Sequence, residues 1–263
     1  MASLTSNVDA GLGPAHLKVR RIVPADLRDA LAKGLDDFVA MPTFAIFLIV
    51  IYPIVGLILL RLTFGYDMLP LVFPLAAGFP LVGPLAGIGL YELSRRREQG
   101  LDISWEALSD FPVTRIRAVI TFGMLLATIF LGWLVTAMVI YQLTFGTWVP
   151  ASVEQFTRQV FTTGAGWILI IVGCAAGFLF AVSAFAISVV SIPLLLDRDV
   201  SVATAVQTST SAVLANPVTM ALWGLIIASA LVIGSLPFFF GLAIVLPLLG
   251  HATWHLYRKV VTH

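Results

Sequence analysis

The chain has 263 residues, of which 59% are apolar and only 11% charged, whereas soluble domains carry about a quarter charged residues. That composition excludes a water-soluble fold, because a domain of this size cannot hide so much apolar surface, and it predicts an all-α, polytopic transmembrane helix bundle. Fifteen basic residues against fourteen acidic ones leave a net charge of +1; net charge therefore singles out no partner, and no nucleic-acid partner is expected.

In chain order, residues 1–20 read as a disordered tail and 21–263 as a single membrane domain of six spans. The first 42 residues lack the short apolar core and small-residue cleavage site of a secretory signal, so the first span is expected to serve as the insertion signal. A crossing needs about 20 apolar residues. The charge-poor runs place crossings at Thr43–Leu62, Leu69–Leu90, Ala118–Tyr141, Gly164–Leu196, Val218–Leu236 and Phe238–Tyr257. The fourth is too long for one upright crossing, so it is expected to tilt or to emerge as helix near Pro193. The last two share one uncharged interval around Ser235-Leu236-Pro237; two full crossings or a shallow re-entrant hairpin both fit it, and both return the C-terminus to the same side. Between the third and fourth spans, Pro150–Thr163 suits a short interfacial helix through Val153, Phe156 and Val160.

Basic residues are concentrated on one side. Lys18, Arg20, Arg21, Arg28 and Lys33, then Arg95, Arg96, Arg97, Arg115 and Arg117, then Arg198, Arg258 and Lys259 make thirteen on one face, against Arg61 and Arg158 on the other. Such an excess marks the cytoplasmic side. Both termini are therefore expected on the cytoplasmic side, with Arg95, Arg96, Arg97, Arg115 and Arg117 fixing topology and meeting anionic headgroups.

A weak repeat runs through the chain. Pro42, Pro112 and Pro217 each stand at the mouth of a span, and the positions 11, 7 and 4 residues before them are Leu31, Leu35, Phe38; Leu101, Trp105, Leu108; and Val206, Thr210, Val213. That spacing predicts three units of a cytoplasmic amphipathic helix followed by a helical hairpin. The unit ends also correspond: Pro84 to Arg96 aligns with Pro247 to Lys259, matching Gly87 with Gly250 and Leu93 with Leu256, and the middle unit keeps Pro193-Leu-Leu-Leu-Asp-Arg198.

The run GPLAGIGLYELSRRREQGLDISW, beginning at Gly83, with the unit behind it, resembles a family of bacterial integral membrane proteins known as domain of unknown function 2189. The resemblance extends from about Arg21 onward. More faintly, Asp197 to Asn216-Pro217 is similar to a helix in the membrane domain associated with glycerophosphodiester phosphodiesterases. Both resemblances imply location and fold, and neither brings catalytic residues.

The chemical candidates are few. His251 and His255 share a helix face and are weak candidates for a metal, but the other histidines, His16 and His263, lie at the chain ends, and no cofactor is expected. Glu92 is spaced for an ion pair with Arg95 or Arg96, with a proton-carrying carboxylate as the other reading. Pro74, Pro80 and Pro84 mark the second span for a kink whose freed carbonyls line a cavity. Asp199 and Ser201 are caps for the helix to Asn216, whose Thr204, Thr208, Ser209 and Ser211 read as a solvated face. Cys174, the single cysteine, reads as a packing residue. No Ser–His–Asp set is visible. The expected function is non-enzymatic contact with membrane lipids or a larger membrane complex; the alternative is a small-molecule or lipid transporter built around the broken second span.

Overall fold

The computed structural model describes residues 17–41, 61, 69–103, 113–237 and 240–262. The expected first span, Trp105, Leu108 and most of the tail lie outside them. In chain order the elements are β1 (Lys18–Val19), α1 (Pro24–Ala40), a 3-10 turn (Leu69–Leu71), α2 (Val72–Ala86), α3 (Ile88–Glu98), α4 (Val113–Phe145), α5 (Val153–Thr162), α6 (Gly164–Ser188), α7 (Ser191–Asp197), α8 (Val202–Ala215), α9 (Pro217–Ser235), α10 (Leu242–Val260) and β2 (Val261–Thr262).

Three helical stretches among the described residues are long and apolar enough to cross a membrane: Thr114–Phe145, Gly164–Asp197 and Pro217–Ser235. In their most apolar windows only 17%, 6% and 22% of residues are buried, so they turn apolar surface outward, as lipid-facing helices do. Trp133 of α4 ties the α4–α6 layer to α2. It lies where an added Cβ on Gly78 would come within 2.7 Å and one on Gly177 within 3.0 Å, and its Nε1 donates to the Pro74 carbonyl at 2.8 Å. Small residues admit a large ring between close-packed helices.

The expected second span is divided. α2 ends at Gly87 and α3 continues beyond it, buried from Leu90 to Ser94. α3 stops at Gly100, whose φ of 65° is the left-handed conformation that a side chain disfavours. The expected sixth span is not among the helices both long and apolar enough to cross. α10 starts at Leu242, and its second half, from Leu249 to Val260, is almost wholly buried among polar partners.

That half of α10 is the axis of a second, mixed layer. Lys259 meets Asp26, Gly34 touches Ala252, and His255 meets Asp37, so α1 runs antiparallel to α10. Leu90 touches Gly250, Ser94 meets His251, and Glu98 meets Trp254, so α3 runs parallel to it. α1 is therefore packed along a helix and does not lie free on a surface. Its buried face is Leu27, Ala30, Gly34 and Asp37, one position off the expected stripe, and Leu35 of that stripe is 50% exposed. α3, α7 and α10 pack against one another here, with Leu194–Leu196 and Leu256 in one core and Leu93 buried.

α6 gives way to α7 at Val189–Val190, just before Pro193, whose missing N–H weakens the helix there. Ser209 of α8 closes the break: its Oγ donates to the Ala186 carbonyl at 2.8 Å and accepts from the Val190 amide at 3.2 Å. Thr208 and Ser209 are thus buried, where a solvated face was expected. The Ser209 hydroxyl satisfies backbone groups that the bend would otherwise strand, while the Thr208 hydroxyl donates to the Thr204 carbonyl of its own helix at 2.8 Å. Ser201 is the N-cap, accepting from the Thr204 amide at 3.1 Å. α5 falls within the Pro150–Thr163 stretch where a short helix was expected, and it is capped by Ser152.

β1 and β2 pair antiparallel, Lys18 with Thr262 and Val19 with Val261. Asn216 reinforces the join, accepting from the Ile22 amide at 2.7 Å and donating to the Arg20 carbonyl at 3.1 Å. Segments that share a ladder cannot lie on opposite faces of a bilayer, so the number of crossings between Val19 and Val261 is even. Height along the bundle bears on the last hairpin. Gly224 of α9 sits beside the Phe185 ring, 4.0 Å from a built Cβ, near the C-terminal end of α6. From Gly224 to the end of α9 is about 17 Å, whereas Phe185 to Gly164 is about 31 Å, at 1.5 Å per residue.

Candidate functional site

The mixed layer gathers its ionisable groups around one carboxylate. Asp37 sits on the buried face of α1 with its side chain 5% exposed. It accepts from Ser94 Oγ at 2.6 Å and from His255 Nε2 at 2.8 Å, and it pairs with Arg97. Burial works to raise this carboxyl, but the donors His255, Ser94 and Arg97 outweigh it and hold it down at about 2. Asp37 is therefore an acceptor throughout the neutral range.

This assignment fixes the neighbouring protons. Ser94 has one hydroxyl proton, and the ionised Asp37 takes it. His251, whose Nδ1 lies 2.7 Å from Ser94 Oγ, must then donate through Nδ1. Burial pushes the His251 imidazole down to about 4, so it is neutral near pH 7 and its single ring proton is the one on Nδ1. The chain of donors runs from His251 to Ser94 to Asp37, with His255 entering from the other side.

A serine, a histidine and an aspartate do meet here, contrary to the sequence reading, but in the wrong order for nucleophilic catalysis. In a catalytic triad the histidine takes the serine proton and the acid holds the histidine. Here Ser94 gives its proton to the acid and is itself fully buried, while His251 Nδ1 stands 4.0 Å from Asp37. The cluster locks three helices together. Both histidines converge on Asp37, and no group of three His, Cys, Asp or Glu side chains among the described residues is arranged to hold a metal.

Around this centre the end of α10 is tied to acids on other elements. Glu98 accepts from Trp254 Nε1 at 2.9 Å and Arg258 Nε at 3.0 Å. Asp197 accepts from Tyr257 Oη at 2.6 Å, and burial, then this bond, raises the Tyr257 phenol far above its usual range. Lys259 bridges Asp29 at 2.8 Å and Asp26 at 3.3 Å. The hydrogen bond it donates to Asp29, opposed by desolvation, raises its ammonium; that bond chiefly lowers Asp29, and the Val23 amide chiefly lowers Asp26, with Lys259 adding to it.

The arginine-rich run divides by role. Glu92, 1% exposed, accepts from Arg95 Nε and Nη2 at 2.7 and 2.6 Å and from Arg96 Nε at 2.8 Å. Arg95 and Arg96 are 11% and 14% exposed, so their charge is spent inside the protein, whereas Arg97 pairs with Asp37 and stays 39% exposed. Arg115 and Arg117 stand at the first turns of α4, half-exposed and exposed, with no ion pair among the described residues. Of the helix-breaking prolines, Pro74 is buried with its carbonyl on Trp133, Pro84 is half-buried, and Pro80 lies within α2. Between α2, α4 and α6 runs an apolar groove of about 290 Å³, bounded by Phe73, Gly78, Trp133, Gly177 and Phe178, with Cys174 on its wall.

Sequence reasoning missed Asp37 and Ser94. The available signal was an acid at the seventh position after Ala30 and the third after Gly34, within a small-residue stripe. A second depression, of about 330 Å³, opens beside the cluster and is lined by Lys33, Asp36, Asp37, Arg97, Glu98 and His255.

No curated protein and no solved structure matches the chain. Residues 72–197, just under half of the chain and spanning α2 to α7, match a family model described as predicted integral membrane protein, domain of unknown function 2189.

Proposed function

We propose that the chain is a non-enzymatic protein of the bacterial inner membrane whose mixed layer lies on the cytoplasmic side, with both termini, and meets anionic lipid headgroups or a larger membrane complex there. The single supporting observation is the one-sided placement of basic residues, with Arg115 and Arg117 unpaired among the described residues at the base of α4. Basic side chains close to an anionic surface contribute about 1 kcal/mol each. Four crossings, two of them α4 and α6, with α9 and α10 as a shallow hairpin, fit the even count and the heights along α6 better than six full spans. Retained lipid and protein after purification in mild detergent test the reading by mass spectrometry. Enrichment of phosphatidylglycerol that falls on Arg115→Gln with Arg117→Gln, or a stoichiometric membrane subunit, is the expected result; a preparation with neither contradicts it.

The transporter alternative draws support from the groove beside α2. Its apolar lining suits an acyl chain better than a polar solute.

A further inference from the structure

We infer that the depression between α1, α3 and α10 binds a phospholipid headgroup carrying both a phosphate and a primary ammonium, an inference that rests on the mixed layer lying at the membrane surface. Its volume, about 330 Å³, falls at the small end of ligand sites, and its walls are of mixed charge. Lys33, ion-paired with Asp29 at 3.2 Å, and Arg97, ion-paired with Asp37 through one nitrogen, have side chains 54% and 39% exposed, and each has further N–H donors that suit a phosphate. Arg97 is held in place by its ion pair with Asp37, and His255 by its 2.8 Å bond to the same carboxylate, so these walls are preorganised.

Asp36 completes the argument. Glu98 and Asp37 are engaged by Trp254, Arg258, Ser94 and His255, but Asp36, on the same wall, has no hydrogen bond or ion pair among the described residues. An unpaired carboxylate beside cationic donors matches a zwitterion, and three N–H donors of a primary ammonium satisfy it better than a quaternary ammonium, which has none.

The position fits a lipid. Asp36 lies about 6 Å along the helix axis from the end of α1, and the apolar run Thr43–Leu62 follows directly in the chain. Leu35 and Val39, on the same helix, are 50% and 67% exposed; with an i, i+4 spacing they form an apolar strip next to the pocket on which acyl chains can lie.

The test uses the full chain in nanodiscs of phosphatidylglycerol with a minor fraction of phosphatidylethanolamine or phosphatidylcholine, followed by native mass spectrometry of retained lipid. Phosphatidylethanolamine is expected to be retained at least fivefold over phosphatidylcholine. Asp36→Asn should abolish that preference, and Lys33→Gln should weaken retention of both; both positions are exposed, and thermal midpoints equal to that of the parent show that the fold is intact. Soluble phosphoethanolamine distinguishes the source: displacement at millimolar concentration assigns the site to the free solute, and failure to displace assigns it to the lipid. Equal retention of the two lipids, or a preference that survives Asp36→Asn, overturns the inference while leaving intact a headgroup surface that loses phosphatidylglycerol on Arg115 and Arg117 substitution. Loss of any lipid enrichment overturns both.

Discussion

Asp37 and His255 stand 218 residues apart in the chain and 2.8 Å apart in space, Oδ2 to Nε2. The bond joins the helix that leads into the first apolar run to the last helix of the protein. With Ser94 and Arg97 on the same carboxylate, it makes Asp37 the point where α1, α3 and α10 are held together.

Asp37→Asn removes the buried charge on which Arg97, Ser94 and His255 depend. Breaking a buried pair by removing one partner costs about 3–5 kcal/mol, so the thermal midpoint in detergent should fall by many degrees. Asp36→Asn, one residue away but exposed, should stay within about 0.5 kcal/mol of the parent.

Acid should loosen the same layer in two stages. His251 is depressed from 6.5 to about 4 and Asp37 from 3.8 to about 2. In both windows the unfolded chain binds more protons than the folded one, so stability is present above the unfolded value and is lost as pH falls. The His251 window runs from pH 6.5 to about 4 and is worth on the order of 3 kcal/mol, at about 1.4 kcal/mol per unit; the Asp37 window follows below pH 3.8. Thermal midpoints should decline from pH 6.5 to 4, and His251→Asn should flatten that decline. A decline unaltered by the substitution would remove His251 from the explanation.

Gly34 is a contact of backbone on backbone. A Cβ built there lies 2.6 Å from the Ala252 nitrogen and 2.8 Å from its Cα, and neither atom can swing aside. Gly34→Ala should therefore push α1 off α10, at a cost of about 1–3 kcal/mol. Gly89→Ala, where nothing lies within 4 Å, should be neutral or gain by helix propensity. Limited proteolysis within α1 separates the two.

Ser209→Ala strands the Val190 amide and the Ala186 carbonyl at the bend between α6 and α7. Leaving buried groups unsatisfied costs about 1–3 kcal/mol, and hydrogen exchange should rise at Val190 first.

Much of this architecture is legible in residues whose message is local. Apolar runs announce α4, α6 and α9, since length and hydropathy suffice, and the i, i+3 and i, i+4 spacing of Glu92 to Arg95 and Arg96 reports their ion pair. The rest is not local. Asp37, Ser94 and His251 come from three distant helices, and no pattern in any one of them names the others. The α10 segment reads as a span because its burial against α1 and α3 asks for the same small and apolar residues as lipid does. Ser209 reads as part of a solvated face because the backbone groups it satisfies belong to another helix.

The central proposal is that both chain ends and the arginine-rich turn share the cytoplasmic face, a reading that the Lys18–Thr262 pairing and the one-sided basic residues support together. With Cys174→Ala as background, single cysteines at Lys18, Gly100, Ser152 and Thr262 can be probed in intact cells with a membrane-impermeant maleimide. The account predicts labelling at Ser152 alone until the membrane is opened. Labelling of position 18, 100 or 262 from outside would contradict it.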